Sequence, residues 1–139
     1  MPQKIRDVMT TDLVSLPATA TLADAARQMK QHAIGDVLVA DGDRLRGLVT
    51  DRDIVLRAVA EDQDPRTATL GDVCSSDLVT VAPGDAVEDA VQLMSERAIR
   101  RLPVVEGGRA VGIVALGDLA VERDPKSALA DISAAAPDA

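Results

Sequence analysis

The chain has 139 residues, a net charge of −8 and no Phe, Tyr or Trp. The negative charge opposes binding to nucleic acid or to an anionic membrane surface, and the absence of aromatic side chains removes the stacking platforms of single-strand binders. The length predicts one domain-sized unit with a core of Val, Leu, Ile, Met and Ala. We therefore expect no nucleic-acid partner.

Signals for targeting, metal binding and catalysis are weak. No apolar run approaches the roughly 18 residues of a membrane span, and the first residues lack the apolar region of a secretory signal, so we expect a cytoplasmic protein with no membrane partner. Cys74 is the only cysteine and is interpreted as a small, semi-buried apolar residue in a reducing compartment. With His32 as the only histidine, we predict no metal site, no required cofactor, no catalytic residue and no enzymatic activity.

The sequence contains an internal repeat. Residues 7–54 align with residues 72–119 at a constant offset of 65 without a gap, and about a third of the aligned positions are identical. Self-similarity of this kind indicates a repeated structural unit.

The first copy has the pattern β-α-β-β-α. A strand over residues 13–16 is followed by a capping box at Thr21 and Asp24, which opens a helix. The apolar spacing predicts the buried face of that helix, namely Leu22, Ala25, Ala26 and Met29. Strands over 37–40 and 45–50 are joined by a turn at Gly42, and a helix then runs from Thr50 to residue 60.

The second copy repeats this order. It has a strand over 78–81, strands over 102–105 and 110–115, and a last helix near Gly117. The predicted buried face of its first helix is Val87, Ala90, Val91 and Met94.

Each copy has about fifty residues and buries too little surface to be stable alone. We expect the two copies to close their sheets against each other about a pseudo-twofold axis, in an α/β (α+β) fold. The predicted boundaries are 1–64 for the first repeat with its linker, 65–124 for the second repeat, and 125–139 for a tail with a short helix.

The repeated β-α-β-β-α unit carries Gly47-apolar-x-Thr50-x-x-Asp53 at its last strand-to-helix junction. It resembles the CBS-domain pair, also called a Bateman module, over residues 5–122, and the run Ile99-Arg-Arg-Leu-Pro103-Val-Val adds to the resemblance. The resemblance implies a stand-alone homodimeric sensor that regulates another protein. It also implies an adenosine-containing ligand (AMP, ADP, ATP, S-adenosylmethionine or NAD) in clefts between the repeats.

The resemblance assigns a first cleft to Leu48, Thr50, Arg52, Asp53, Val79, Ile99, Arg100, Arg101 and Pro103. In this cleft Asp53 would accept hydrogen bonds from both ribose hydroxyls, and Thr50 with free N–H groups at a helix start would hold phosphate. Arg100 and Arg101 would supply the counter-charge, and aliphatic side chains would enclose the adenine. A ligand-free interpretation stays open, because Thr50-x-x-Asp53 is also a capping-box pattern.

The resemblance assigns a second cleft to Val14, Ile34, Gly35, Asp36, Ile113 and Asp118, with Ala115 and Gly117 at its junction. Ala115 lacks the hydroxyl of Thr50, and Asp36 brings a carboxylate where the other repeat has arginine. We expect this cleft to be empty or to take a less anionic adenosine ligand. The alternative function is a structural or protein-interaction pair that has lost ligand binding.

Overall fold

The computed structural model describes residues 3–74 and 78–123, with side chains omitted for 120–123. The described residues divide into two compact units, one from those within 13–78 and the other from residues 3–12 and 79–123. Helix α1 (Ile5–Val8) therefore joins the second repeat, and helix α4 (Leu70–Val73) joins the first. The expected tail over 125–139 lies outside the described residues, and the repeat boundaries stay a prediction.

In the unit of residues 13–78, three strands form a sheet in the order β1–β2–β3. Strand β1 (Ser15–Leu16) runs parallel to β2 (Asp36–Asp41), which pairs antiparallel with β3 (Arg44–Thr50). The predicted hairpin is confirmed, with Gly42 at a φ of 62°, where a side chain would be strained.

Helix α2 (Leu22–His32) packs an apolar face against this sheet. Its predicted capping box is confirmed: the Thr21 hydroxyl accepts the Asp24 N–H, and the Asp24 carboxylate accepts the Thr21 N–H, both at 3.1 Å. The buried residues are Leu22, Ala25 and Met29. The prediction that Ala26 is buried is wrong, because one further residue turns the side chain about 100° around the helix and into solvent.

Helix α3 (Asp51–Ile54) begins after Thr50, as predicted, but it does not continue as an α-helix. Residues Val55–Val59 form a π-helical turn, in which the Ala60 N–H donates to the Val55 carbonyl at 2.9 Å. This turn presents Val55, Leu56 and Val59 to solvent, each with at least half of its surface exposed. Short π-helical turns are uncommon and are frequent at functional sites.

The other unit contains α1, α5 (Val87–Arg97), β4 (Arg101–Glu106), β5 (Arg109–Ala115) and α6 (Leu116–Arg123). Strands β4 and β5 pair antiparallel, as predicted. Of the predicted face of α5, Val87, Ala90 and Met94 are buried, and Val91 is half-buried. The core of the unit consists of Ile5, Val81, Val87, Ala90, Met94, Leu102, Val104, Val114 and Leu119.

The strand predicted over residues 78–81 is reduced to one parallel bridge between Val81 and Val104. In the first repeat, the Leu38 N–H donates to the Val14 carbonyl at 2.9 Å. The equivalent of Leu38 is Pro103, which has no N–H to donate. The bond that would extend this pairing to Val79 is therefore unavailable, and the prediction of a strand over 78–81 is wrong. The strand predicted over 13–16 is too long as well, since only Ser15–Leu16 form β1.

The glycine of the strand-to-helix junction has a packing role in the second repeat. Thr10 and Ile113 exchange backbone hydrogen bonds of 2.8 and 2.9 Å, which bring the N-terminal segment across β5. A Cβ at Gly112 would lie 2.6 Å from Met9 Sδ and 3.0 Å from the Thr10 carbonyl oxygen. A side chain here would displace Met9 and crowd the Thr10 carbonyl, so the close approach of the two chain segments favours glycine.

Candidate ligand-binding site

Thr50 and Asp53 lie at the junction of β3 and α3 and bind each other reciprocally. The Asp53 Oδ2 accepts the Thr50 backbone N–H at 2.9 Å, and the Thr50 Oγ1 accepts the Asp53 backbone N–H at 3.1 Å. The pattern is thus a capping box in the structure, as the ligand-free interpretation required. This local pairing restricts the rotamers of both side chains.

Capping does not exhaust the acceptor capacity of Asp53. An ionised carboxylate has about four lone-pair positions, and the Thr50 N–H occupies one of them. The Asp53 side chain is 24% exposed, and its Oδ1 faces Arg57, whose Nε lies 3.8 Å away. The Thr50 hydroxyl can also donate its own proton, because in the box it acts only as an acceptor. The Asp53 carboxylate can therefore accept further hydrogen bonds, and the Thr50 hydroxyl can donate one, while the helix start stays capped.

The prediction that the N–H groups at this helix start are free is wrong. The Asp51 N–H donates to the Gly35 carbonyl at 2.9 Å, and the Arg52 N–H donates to the Asp51 Oδ1 at 2.8 Å. With the Asp53 N–H on Thr50, the first N–H groups of α3 are satisfied within the protein. A phosphate at this junction would depend on side chains instead.

Leu48 and Arg52 flank the capping box. Leu48 is half-buried and, two residues before Thr50, shares its face of β3. Arg52 is exposed, and with Asp51, Val55 and Leu56 it lines a shallow, open hollow.

The β2–β3 register brings residues assigned to the second cleft next to Thr50. Asp36 pairs directly with Thr50, and directly opposed residues share a sheet face with Cβ atoms about 5 Å apart. Gly35 contacts the helix start through its carbonyl, while Val14 and Ile34 are half-buried and pack on the apolar core of the same unit. The Asp36 carboxylate is therefore a neighbour of Thr50, which the sequence did not predict.

The second repeat has the same junction without the hydroxyl. The Asp118 Oδ2 accepts the Ala115 N–H at 2.9 Å, but Ala115 offers no oxygen in return. Arg101 pairs with Ala115 across β4 and β5, and Arg100 is exposed, with its carbonyl accepting the Leu116 N–H at 2.8 Å. The structure thus places both predicted arginines at the end of their own repeat that carries Asp118.

The predicted apolar contacts of this unit differ in accessibility. Val79 and Ile99 are half-buried and pack on its core, and Ile113 is half-buried beside Thr10. Pro103 is among the fully buried side chains, so it presents almost no surface to a ligand. The assignment of all these residues to ligand contacts stays a prediction.

Arg57 is a residue of this region that the sequence reasoning missed. It lies in the π-helical turn, where it is paired with Asp53 and donates from Nη1 to the Val73 carbonyl at 2.8 Å. The Asp-x-x-x-Arg spacing is a helical ion-pair signal and could have revealed the first contact. The second contact joins residues far apart in sequence and has no local signal.

Within residues 3–74 and 78–123, no group of three or more His, Cys, Asp or Glu side chains is arranged to hold a metal ion. No helix in the same part of the chain has the length and apolar character needed to cross a membrane.

Comparison with known proteins identifies the class. The family model of the CBS domain matches the chain twice, over residues 5–60 and 70–123. The CBS domain-containing protein YhcV of Bacillus subtilis (strain 168) is 44% identical over 133 residues, which cover 93% of this chain and 94% of that protein. The chain therefore belongs to the CBS-domain family, as a small protein with two such domains.

Solved structures agree on the fold. A crystal structure of Hypoxic Response Protein I with two coordinated zinc ions has a TM-score of 0.78 at 36% identity, covering 86% of this chain and 98% of that one. The Mycobacterium tuberculosis protein of that name, Hypoxic response protein 1, is 37% identical over 116 residues, 83% of this chain and 81% of that one. The CBS domain pair of protein MJ0100, in complex with 5'-methylthioadenosine and S-adenosyl-L-methionine, has a TM-score of 0.82 at 22% identity, covering 91% of this chain and 100% of that one. At that identity the likeness concerns the fold alone.

Proposed function

We propose that this protein is a regulatory module that binds an adenosine-containing ligand, with Asp53 as the acceptor for its ribose. The observation that carries the proposal is the Thr50–Asp53 pair, which fixes a partly exposed carboxylate at a strand-to-helix junction. CBS-domain proteins are generally regulatory or binding modules, and the MJ0100 complex is an example of this fold with two adenosine compounds. AMP, ADP, ATP, S-adenosylmethionine and NAD are the candidate ligands.

The remaining contacts are part of the same proposal. Leu48, Val79 and Ile99 are assigned to the adenine, because they are half-buried aliphatic side chains and the chain has no aromatic residue. Thr50 and the exposed Arg100 are assigned to phosphate, since the N–H groups at the start of α3 already have partners. Asp36, opposite Thr50, opposes a phosphate there by charge repulsion.

The junction of the second repeat supports a different ligand preference. Asp118 can still accept a ribose hydroxyl, but Ala115 has no hydroxyl to complete a phosphate contact. We assign to this junction an uncharged or less anionic adenosine compound, or no ligand.

A second candidate function is that of an interaction module, which the exposed apolar face Val55, Leu56 and Val59 favours. The two functions are compatible if this face forms the proposed homodimer. Neither requires a catalytic residue or a cofactor, and we place the protein in the cytoplasm as a regulator of another protein.

Two measurements test the proposal: analysis of compounds released from the purified protein, and thermal shifts with added compounds. Purified protein is denatured, and the supernatant is analysed for adenosine compounds. Thermal shifts are then measured with adenosine, AMP, ADP, ATP, S-adenosylmethionine and NAD, because a ligand that binds only the native state raises its apparent stability. At least one compound is expected to raise the melting temperature in a dose-dependent way. No release and no shift with any compound would favour the interaction module.

A further inference from the structure

Arg57 connects two places in the unit of residues 13–78. Its guanidinium donates from Nη1 to the Val73 carbonyl oxygen at 2.8 Å, and its Nε lies 3.8 Å from Asp53 Oδ1. Val73 is the last residue of α4, where a carbonyl has no partner within its own helix. One side chain thus satisfies the end of α4 and places a positive charge beside the proposed ribose acceptor.

The two contacts of Arg57 differ in kind. At 3.8 Å the contact with Asp53 is an ion pair without a hydrogen bond, so the lone pairs of Oδ1 stay available to another donor. The contact with Val73 is a short hydrogen bond from a charged donor, which is the stronger type. The guanidinium is therefore anchored on α4, and from that anchor it orients the Asp53 carboxylate without occupying it.

The sequence of the second repeat differs at the position of Arg57. The position equivalent to Arg57 is Glu122, whose ionised carboxylate cannot donate to a carbonyl and has the same sign of charge as Asp118. The two junctions share their aspartate, yet only the first has an arginine at this spacing. In the sequence, an Asp-to-Arg pair at this spacing is therefore offered only by the junction that has Thr50.

We propose that Arg57 is a positioning residue that orients Asp53 for the ligand and thereby couples ligand occupancy to the end of α4. This inference rests on the proposed function. A ligand that uses the carboxylate in the orientation held by Arg57 favours the state in which Arg57 is anchored on Val73. By linkage, holding Arg57 on the Val73 carbonyl then raises the affinity for the ligand by the same factor.

Cys74 reports on the end of α4. It directly follows Val73, its N–H donates to the Leu70 carbonyl at 2.8 Å, and it is the only cysteine of the chain. Cys74 is half-buried against the core of the same unit, so a thiol reagent should modify it faster when this end opens and exposes it further. Binding is measured separately by titration calorimetry with AMP and adenosine.

The test compares three variants with the wild type. Arg57→Met keeps much of the aliphatic stem and removes both polar contacts, while Arg57→Lys keeps the charge. Arg27→Met is the matched control, because Arg27 pairs with Asp24 of the other capping box at 3.0 Å and has no proposed ligand role. Each variant is measured with and without saturating AMP.

Arg57→Met is expected to lower the affinity for both AMP and adenosine about two- to fivefold, the range for a partly exposed ion pair. The thiol reagent should also modify Cys74 faster in Arg57→Met than in the wild type. AMP should slow this modification in the wild type but not in Arg57→Met. Arg57→Lys should recover part of the affinity, and Arg27→Met should behave as the wild type.

Two failures are distinguishable. If the wild type binds AMP and Arg57→Met retains both its affinity and its AMP-dependent protection of Cys74, the inference about Arg57 is wrong and the proposed function stands. If the wild type binds none of the adenosine compounds, the proposed function is wrong and this inference is overturned with it.

Discussion

The Asp53 carboxylate caps the helix that begins after Thr50 and is, in the same orientation, the proposed ribose acceptor. Its Oδ2 lies 2.9 Å from the Thr50 nitrogen, and the Thr50 hydroxyl oxygen lies 3.1 Å from the Asp53 nitrogen. Capping and binding are therefore not competing explanations of Thr50-x-x-Asp53. The cap restricts the carboxylate on its Oδ2 side and Arg57 faces its Oδ1, which lowers the conformational entropy that Asp53 loses when a ligand binds.

Replacing Asp53 by Ala should affect binding and stability together. Loss of a charged acceptor is expected to cost about 1.5–3 kcal/mol of binding free energy, and loss of the cap about 0.5–2 kcal/mol of unfolding free energy. Asp24→Ala removes the equivalent cap of α2 and should affect stability alone. Calorimetry and urea denaturation measure the two effects, and an unchanged nucleotide affinity in Asp53→Ala would refute the ribose assignment.

Two alanines end α2 and α5 in the left-handed conformation. Ala33 and Ala98 both have a φ of 53°, which costs an L-residue about 1–2 kcal/mol. Glycine lacks this cost but is more flexible when unfolded, so Ala33→Gly and Ala98→Gly should each stabilise the fold by about 0.5–1 kcal/mol. Ala26→Gly, at an exposed position inside α2, should instead destabilise it by about 0.5–1 kcal/mol. Denaturation midpoints that fall in all three variants would contradict this account.

Capping carboxylates should make stability fall in acid. The Thr21 backbone N–H, with the Thr21 hydroxyl, lowers the pKa of Asp24, and the Thr69 backbone N–H lowers the pKa of Asp72 in the same way. A lowered pKa in the folded state gives stability that is complete above the unfolded value, 3.8 for both groups, and is lost as the pH falls through the folded value. The melting temperature should be insensitive to these groups between pH 7 and about 5 and should fall below about 4.

The double variant Asp24→Asn and Asp72→Asn keeps an oxygen at each cap but removes the titration. Its melting temperature should fall less steeply below pH 4 than that of the wild type. Parallel acid profiles would show that other carboxylates dominate.

The exposed face of the π-helical turn is the proposed dimer contact. Val55, Leu56 and Val59 are 54%, 50% and 61% exposed. Wild-type protein at tens of micromolar should have a dimeric mass by light scattering, and Leu56→Lys should shift it toward the monomer, because a buried lysine lacks a partner. Thr19→Lys makes the same charge change at an exposed turn and should stay dimeric. A monomeric wild type would refute the contact.

Local patterns explain what could be predicted from the sequence. The capping boxes at Thr21 and Thr50, the hairpin at Gly42 and the element order depend on residues within a few positions of each other, and the repeat provides the hairpin and the element order twice. The family resemblance added the ligand class and the site residues, which local patterns alone leave open.

What the sequence did not predict depends on partners distant in the chain. Pro103 looks like an ordinary edge-strand residue until its counterpart Leu38 is seen to donate to Val14. Likewise, the pairing of Asp36 with Thr50 and the occupation of the Asp51 N–H by Gly35 follow from strand register. The left-handed Ala33 was missed because glycine, not alanine, is the usual residue at that position.

The charge preference of the two junctions is most sharply tested by changing one neighbour of Thr50. Asp36→Asn removes the carboxylate opposite Thr50 and should raise the affinity for AMP more than the affinity for adenosine. A higher salt concentration should lower the affinity for AMP more than the affinity for adenosine, since only the nucleotide carries phosphate charge for Arg100 to attract.

The most direct measurement of the central claim is titration calorimetry of AMP and adenosine on the wild type, on Arg100→Ala and on the Arg100→Ala, Arg101→Ala double variant. The account predicts that AMP prefers one site per chain, that the arginine variants weaken AMP far more than adenosine, and that adenosine distinguishes little between the two junctions. Equal losses for both ligands, two equivalent AMP sites per chain, or no binding by the wild type would contradict it.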